Sequence, residues 1–108
     1  MSKYVLSKET ENDIDEIFDF GEYKFGYDQA ITYLIGLEEH FEALATNPQI
    51  GKLRNKIKNG LYSLPYVSHI IFYRVLGNHI RIVRVLYGGM DLHHLLFTPG
   101  RTPGRNTR

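Results

Sequence analysis

Arginine and histidine side chains in the second half of the chain carry most of its capacity for chemistry: Arg74, Arg81 and Arg84, with His69, His79, His93 and His94, and the phenol of Tyr87. A guanidinium balances the charge of a phosphate or carboxylate, and an imidazole can move a proton near neutral pH. Their spacing assembles no catalytic set. His93 and His94 are adjacent, so on a helix they point roughly 100° apart and cannot both hold one metal. His69, His79 and His94 are suited to acid–base work, yet an ordinary strand or surface histidine is the plainer reading of each. No Ser-His-Asp order, phosphate-cradling glycine loop or HExxH run occurs. Cysteine is absent, which excludes disulfides, thiolate nucleophiles and cysteine-based metal sites. A binding protein is indicated ahead of an enzyme, with no cofactor.

The arginines belong to a larger pattern. Residues 1–50 hold eleven Asp/Glu and three Lys, a balance of 3 − 11 = −8. Residues 51–108 hold ten Lys/Arg and one acid, Asp91, a balance of 10 − 1 = +9. The net charge of +1 therefore hides a dipolar molecule. If the acidic half is helical and the basic half forms strands, one surface attracts anions while the other is solvated.

Local signals support that division. Lys3 to Leu6 reads as a short strand with Tyr4 and Leu6 on one face. Ser7 is a plausible helix N-cap, and Thr10 with Asp13 offers a second cap at capping-box spacing. Ile14, Ile17, Phe18, Gly21 and Phe25 form one apolar stripe on an otherwise acidic helix. Gly26 breaks it. A second helix is predicted from about Asp28 to Ala45, carrying Ala30, Leu34, Leu37, Phe41 and Leu44 on one side, and Asn47-Pro48 ends it. The polar, basic stretch from Gly51 to Asn59 reads as a loop or irregular edge. Strands follow at Leu61–Leu64, Val67–Leu76 and His79–Tyr87, and Gly77-Asn78 is a two-residue hairpin signal between the last two. Met90 to Phe97 fits one short helix. The predicted class is α+β: an N-terminal strand and a two-helix hairpin packed on a mainly antiparallel sheet of about four strands, with a short C-terminal helix.

A hairpin centred on Gly77-Asn78 pairs residues whose numbers sum to 155, a sum that follows from the turn position. Val75 then opposes Ile80, Arg74 opposes Arg81, Phe72 opposes Val83 and Ser68 opposes Tyr87. Ile71, Tyr73, Val75, Ile80 and Ile82 share one face; Ile70, Phe72, Arg74, Arg81, Val83 and Val85 share the other. Two arginines directly across from each other repel, unless a partner's anion lies between them or each pairs with an acid of the helical half. Arg84 falls on the more apolar face, which requires a register shift or a reach past the sheet edge.

These residues resemble a known family. Tyr4-Val-Leu-Ser7, Asp13-Ile-Asp-Glu-Ile17, Phe25-Gly26, Gln29-Ala30 and Tyr33 are similar to the RelE/ParE toxin superfamily. So are Leu37, Phe41, Leu44-Ala45, Asn47-Pro48, Gly51, Gly60-Leu61, Ser63-Leu64-Pro65 and Met90-Asp91. The strands Ser68-His69-Ile70-Ile71-Phe72-Tyr73-Arg74 and Ile82-Val83-Arg84-Val85-Leu86 resemble the ParE branch in particular, and the resemblance spans about Lys3 to Leu96. It implies a toxin of a type II toxin–antitoxin system that poisons DNA gyrase and is neutralised by a ParD-like antitoxin. The alternatives are a ribosome-dependent endoribonuclease of the RelE type and a non-toxic antitoxin-binding module. Tyr62 stands where the family often has a basic residue, and Tyr87 where it has a histidine.

Within that frame the expected antitoxin-binding residues are Ile70 and Phe72 as apolar anchors, with Arg74 and Arg81 facing its acids. The expected target-binding residues are Arg84, Tyr87, Met90, His93 and His94, chemically varied and placed past the helix-packed core. No sequence-specific DNA binding by the toxin alone is expected. Residues 1–97 are expected to form the toxin domain and 98–108, which read TPGR-TPGR-NTR, a flexible basic tail. No apolar stretch approaches the roughly 18 residues of a membrane span, and a cytoplasmic location is expected.

Overall fold

The computed structural model describes residues 3–89. The chain runs β1 (Tyr4–Leu6), α1 (Lys8–Phe25), α2 (Tyr27–Thr46), a 3-10 turn (Pro48–Ile50), β2 (Lys52–Leu53), β3 (Leu61–Tyr66), β4 (His69–Leu76) and β5 (His79–Tyr87). The sheet has five strands in the order β1-β5-β4-β3-β2. The α+β class and the mainly antiparallel sheet hold, with one correction to the strand count and one addition. The basic stretch after Gly51 supplies a short edge strand, β2, so the strands number five rather than four. The sheet is also mixed, because β1 runs parallel to β5. The helix expected at Met90–Phe97 and the tail at 98–108 lie outside the described residues. No helix among those described is long and apolar enough to cross a membrane.

Ser7 caps α1 as its side chain accepts from the Thr10 amide at 3.0 Å. Gly26, at φ 94°, separates α1 from α2 in a backbone region few other residues tolerate. Both helices lie on one face of the sheet. From α2, Leu37, Phe41, Leu44 and Ala45 pack against Tyr66, Ile71, Tyr73, Ile80, Ile82 and Val85, with Tyr4, Leu6, Ile14 and Ile17 around them. The Tyr73 hydroxyl fastens the exit from α2: it donates to the Pro48 carbonyl at 2.7 Å and accepts from the Gly51 amide at 3.0 Å. A smaller apolar cluster, Leu61, Phe72 and Leu86 with Ile57, Ile70 and Val83, lies on the other face. The tip of the helical hairpin departs from the expected apolar stripe, for Phe25 there is 62% exposed.

The 77–78 turn sets the register as expected near the hairpin end, with Val75 opposite Ile80 and Arg74 opposite Arg81. Past Tyr73 the expectation fails. A bulge lies between Phe72 and Tyr73 in the pairing, so that Phe72 opposes Arg84 and His69 opposes Tyr87. Val83 is the extra residue, and an extra residue reverses the facing of the rest of its strand. Val85 accordingly joins the helix-side core instead of the face predicted for it.

Candidate functional site

The described residues separate by charge into two layers. Every one of the eleven acids in residues 1–50 lies on α1 or α2, which also carry Lys8 and Lys24, giving 2 − 11 = −9. The strands and their connections carry Lys3, Lys52, Arg54, Lys56, Lys58, Arg74, Arg81 and Arg84 and no acid, giving +8 over residues 3–89. The face of the sheet turned away from the helices is therefore the anion-attracting surface that the sequence implies.

Strand alternation fills that open face. Arg74 follows Phe72 at i+2 and pairs across to Arg81 on one side and Leu61 on the other. Ser63 and Lys52 are cross-strand partners, and the Arg54 Nε donates to the Ser63 hydroxyl at 2.9 Å. The connection from Arg54 to Gly60 is held by its own backbone: the Arg54 carbonyl accepts from the Ile57 and Lys58 amides, and the Gly60 amide donates to Asn55 Oδ1 at 2.8 Å. Arg74 steadies the loop by donating to the Asn59 carbonyl at 3.1 Å. Neither Arg74 nor Arg81 is ion-paired among the described residues, so the possibility that each meets an acid of the helices is not realised there.

Arg84 is held differently. Its Nε and its Nη2 each donate to Asp13 at 2.9 Å, and Asp13 also accepts from the Val85 amide at 2.9 Å. The pair is largely buried, with side-chain exposures of 21% and 9%. Hydrogen bonding to Asp13 raises the Arg84 pKa above its already high ordinary value, against the opposing effect of burial. The contact arises because β1 pairs with β5 only through Ile82, and the edge beyond needs other partners. Helix α1 supplies them: the Ser7 amide and the Thr10 hydroxyl donate to the Ile82 carbonyl, the Ser7 hydroxyl lies 3.0 Å from the Val83 carbonyl, and Asp13 takes the Val85 amide. Thr10 and Asp13 are thus not a second cap. They seal a strand edge, and the acids of the helices are not all remote from the basic strands.

At the far end of β4 and β5 a ring cluster gathers Tyr33, Tyr66, His69, His40 and Tyr87. The Tyr33 hydroxyl shares a 2.7 Å hydrogen bond with His69 Nδ1, and Tyr66 donates to the Tyr33 carbonyl at 2.7 Å. Gly36 permits this approach, since a Cβ there would collide with the Tyr66 hydroxyl. Burial lowers the His69 pKa and nearby Asp13 partly offsets it. Tyr87 stacks edge-on against His69 and is 53% exposed.

The structure brings Arg74 and Arg81 together on the open face, with half-buried Ile70 on the same side. Phe72, expected as an anchor, is a core side chain at 1% exposure. Of the expected target-binding residues, Arg84 faces Asp13, Tyr87 is exposed, and Met90, His93 and His94 lie outside the described residues. His79 Nδ1 lies 3.1 Å from Asn78 Oδ1 in the turn. Sequence reasoning did not single out Asp13 or Arg54 as site residues. For Asp13 a signal existed: Ser7, Thr10 and Asp13 recur every three residues beside the apolar stripe begun by Ile14. No three His, Asp or Glu side chains among the described residues could together hold a metal ion.

Comparison with known proteins matches residues 4–92 to the family described as ParE toxin of type II toxin-antitoxin system, parDE. Toxin ParE1 of Mycobacterium tuberculosis is 39% identical over 92 residues, covering 84% of this chain and 94% of the relative. Toxin ParE1 of Caulobacter vibrioides is 33% identical over 91 residues, with the same coverage of 84% and 94%. Among solved structures, the chromosomal ParDE TA system from P. aeruginosa superposes with a TM-score of 0.71 at 21% identity, covering 81% of this chain and 96% of the other. The YoeB-YefM toxin-antitoxin complex from Staphylococcus aureus shares the fold at a TM-score of 0.55 and 18% identity, covering 81% and 97%.

Proposed function

The chain belongs to the ParE toxin family of type II toxin–antitoxin systems, and from that premise we propose that it arrests growth by poisoning DNA gyrase until a ParD-like antitoxin neutralises it. The match over residues 4–92 carries this reading. The protein acts in the cytoplasm as an inhibitor with no hydrolytic chemistry of its own. The placement of its polar groups supports that view. Arg81 and Tyr87 are six residues apart on β5, a separation of about 20 Å at the usual rise per strand residue. Arg84, between them, is committed to Asp13. Charge balance at a phosphate and proton transfer to its leaving oxygen need groups within hydrogen-bond reach of one another, and Arg74, Arg81, Arg84 and Tyr87 do not converge on one point.

The antitoxin lays acids against Arg74 and Arg81 and an apolar contact on Ile70; Tyr87 faces the target. Purified toxin raises gyrase-dependent cleaved DNA or blocks supercoiling, and antitoxin reverses it. Gyrase left unaffected by excess folded toxin sinks the proposal; codon-phased transcript ends after induction would identify a ribosome-dependent nuclease instead, and normal growth with soluble protein a non-toxic binding module. Tyr87→Ala removes growth inhibition while folding and antitoxin binding persist; full toxicity in that variant moves the target contact off β5.

A further inference from the structure

We propose that the open face of the sheet binds the sugar-phosphate backbone of nucleic acid without regard to base sequence. The inference is independent of gyrase and rests on how the cations are set. Arg81 on β5, Arg74 on β4 and Arg54 with Lys52 at β2 span three inter-strand spacings, about 14 Å. Lys56 and Lys58 flank Ile57, which packs against the cluster on this face. Over that span the described residues contribute no carboxylate, and the only ion pair among them, Arg84 with Asp13, lies farther along β5, where the strand edge meets α1.

The density of this charge favours a phosphate backbone over an acidic peptide. Duplex DNA presents one charge per about 1.7 Å of its axis. An extended peptide presents one side chain per face every ~7 Å, and only where its own sequence supplies an acid. Guanidinium groups also suit phosphate, because their fork of donors can grip two oxygens at once. The cross-strand Arg74–Arg81 pair, destabilising by itself, is relieved when a phosphate lies between the two.

The same face predicts indifference to sequence. Its one phenylalanine is closed off, for Phe72 is 1% exposed, as is Leu61 beside it. No Phe or Tyr ring is open there among the described residues to stack a base, and backbone contact alone carries no base information. An antitoxin seated on Arg74 and Arg81 would compete for the surface.

The test is fluorescence anisotropy of the full chain with labelled single- and double-stranded oligonucleotides of two unrelated sequences, across a salt series. Binding at low salt, alike for the two sequences, is expected; whichever strand form binds more tightly identifies the preferred backbone. Changing Arg74 and Arg81 together to Gln weakens binding roughly tenfold and lowers the salt slope by about two. The matched charge change on the helices, Lys8→Gln with Lys24→Gln, leaves it unaltered. Arg81→Gln alone, whose side chain has no hydrogen-bonded partner among the described residues, keeps the result readable should the double variant misfold. No binding of either strand form overturns the proposal. So does an affinity unchanged by the arginine substitutions, an equal loss in the lysine control, or a tenfold preference between the two sequences.

Discussion

The two ends of the β4–β5 ladder are built from the same residue types and do opposite things with them. At the turn end Arg74 and Arg81 face each other across the strands, beside Val75 and Leu76, both partly in solvent. At the far end Arg84 turns back onto Asp13, His69 meets Tyr33, and the Gly88 amide donates to the Ser68 carbonyl at 2.9 Å. An arginine with a buried carboxylate is part of what holds the helices to the sheet. An arginine without one contributes little to folding and is available to a partner. The bulge opposite Tyr73 divides the two behaviours, because it is there that β5 runs past β1 and takes its edge bonds from α1.

The largest effect should come from breaking the far end. Asp13→Ala strips the Arg84 guanidinium and the Val85 amide of their acceptor at once, and removal of one partner from a buried pair costs about 3 kcal/mol or more. Urea denaturation measures it; a loss below about 1 kcal/mol would make the two ends energetically alike. Thr10→Val is next. It keeps the shape of a fully buried side chain and deletes the hydroxyl that donates to the Ile82 carbonyl, for an expected loss of about 1–2 kcal/mol.

A pH dependence distinguishes the ends more gently. Burial holds the His69 pKa below its ordinary 6.5, so the unfolded chain takes up a proton that the folded chain resists. The contribution is fully present above pH 6.5 and is lost as pH falls from there toward the depressed folded value. Stability followed by denaturant midpoint should decline over that interval in the parent protein and decline less in His69→Gln; parallel curves would mean that His69 does not contribute. Smallest of all, Arg81→Ala should shift stability by no more than about 0.5 kcal/mol, and upward if relief of the cross-strand repulsion dominates. A loss comparable with that of Asp13→Ala would erase the contrast.

Much of this arrangement is legible in the amino-acid order, because short-range rules dominate where it is. Gly26 and Asn47-Pro48 mark the helix ends, Gly77-Asn78 locates the hairpin, and the four-and-three spacing from Ala30 to Leu44 places the face of α2 that packs on the sheet. Ladder register near the turn follows from the turn itself. What local rules miss is long-range: the parallel pairing of β1 with β5 joins residues 76 positions apart at Tyr4 and Ile80. The Asp13–Arg84 contact is likewise long-range, joining residues 71 positions apart. So the target surface assigned to Arg84 and the anchoring role assigned to Phe72 were placed by sequence where tertiary packing puts a tie and a core side chain. Arg74 and Arg81, close to the turn, keep the positions expected of them.

The pairing of β1 with β5 also orders events during synthesis. Strand β5 is the last of the described strands to be made, yet it sits between β1 and β4. Ser7, Thr10 and Asp13 emerge from the ribosome more than 70 residues before the Ile82, Val83 and Val85 backbone they bond. Until β5 emerges, the helical hairpin lacks Ile80, Ile82 and Val85 of its core and has no partners for those polar groups. A nascent chain arrested before Arg84 therefore lacks a completed sheet, and the molecule acquires its surfaces late and together. An antitoxin that recognises the finished sheet meets only chains that have been translated nearly to the end of the described fold.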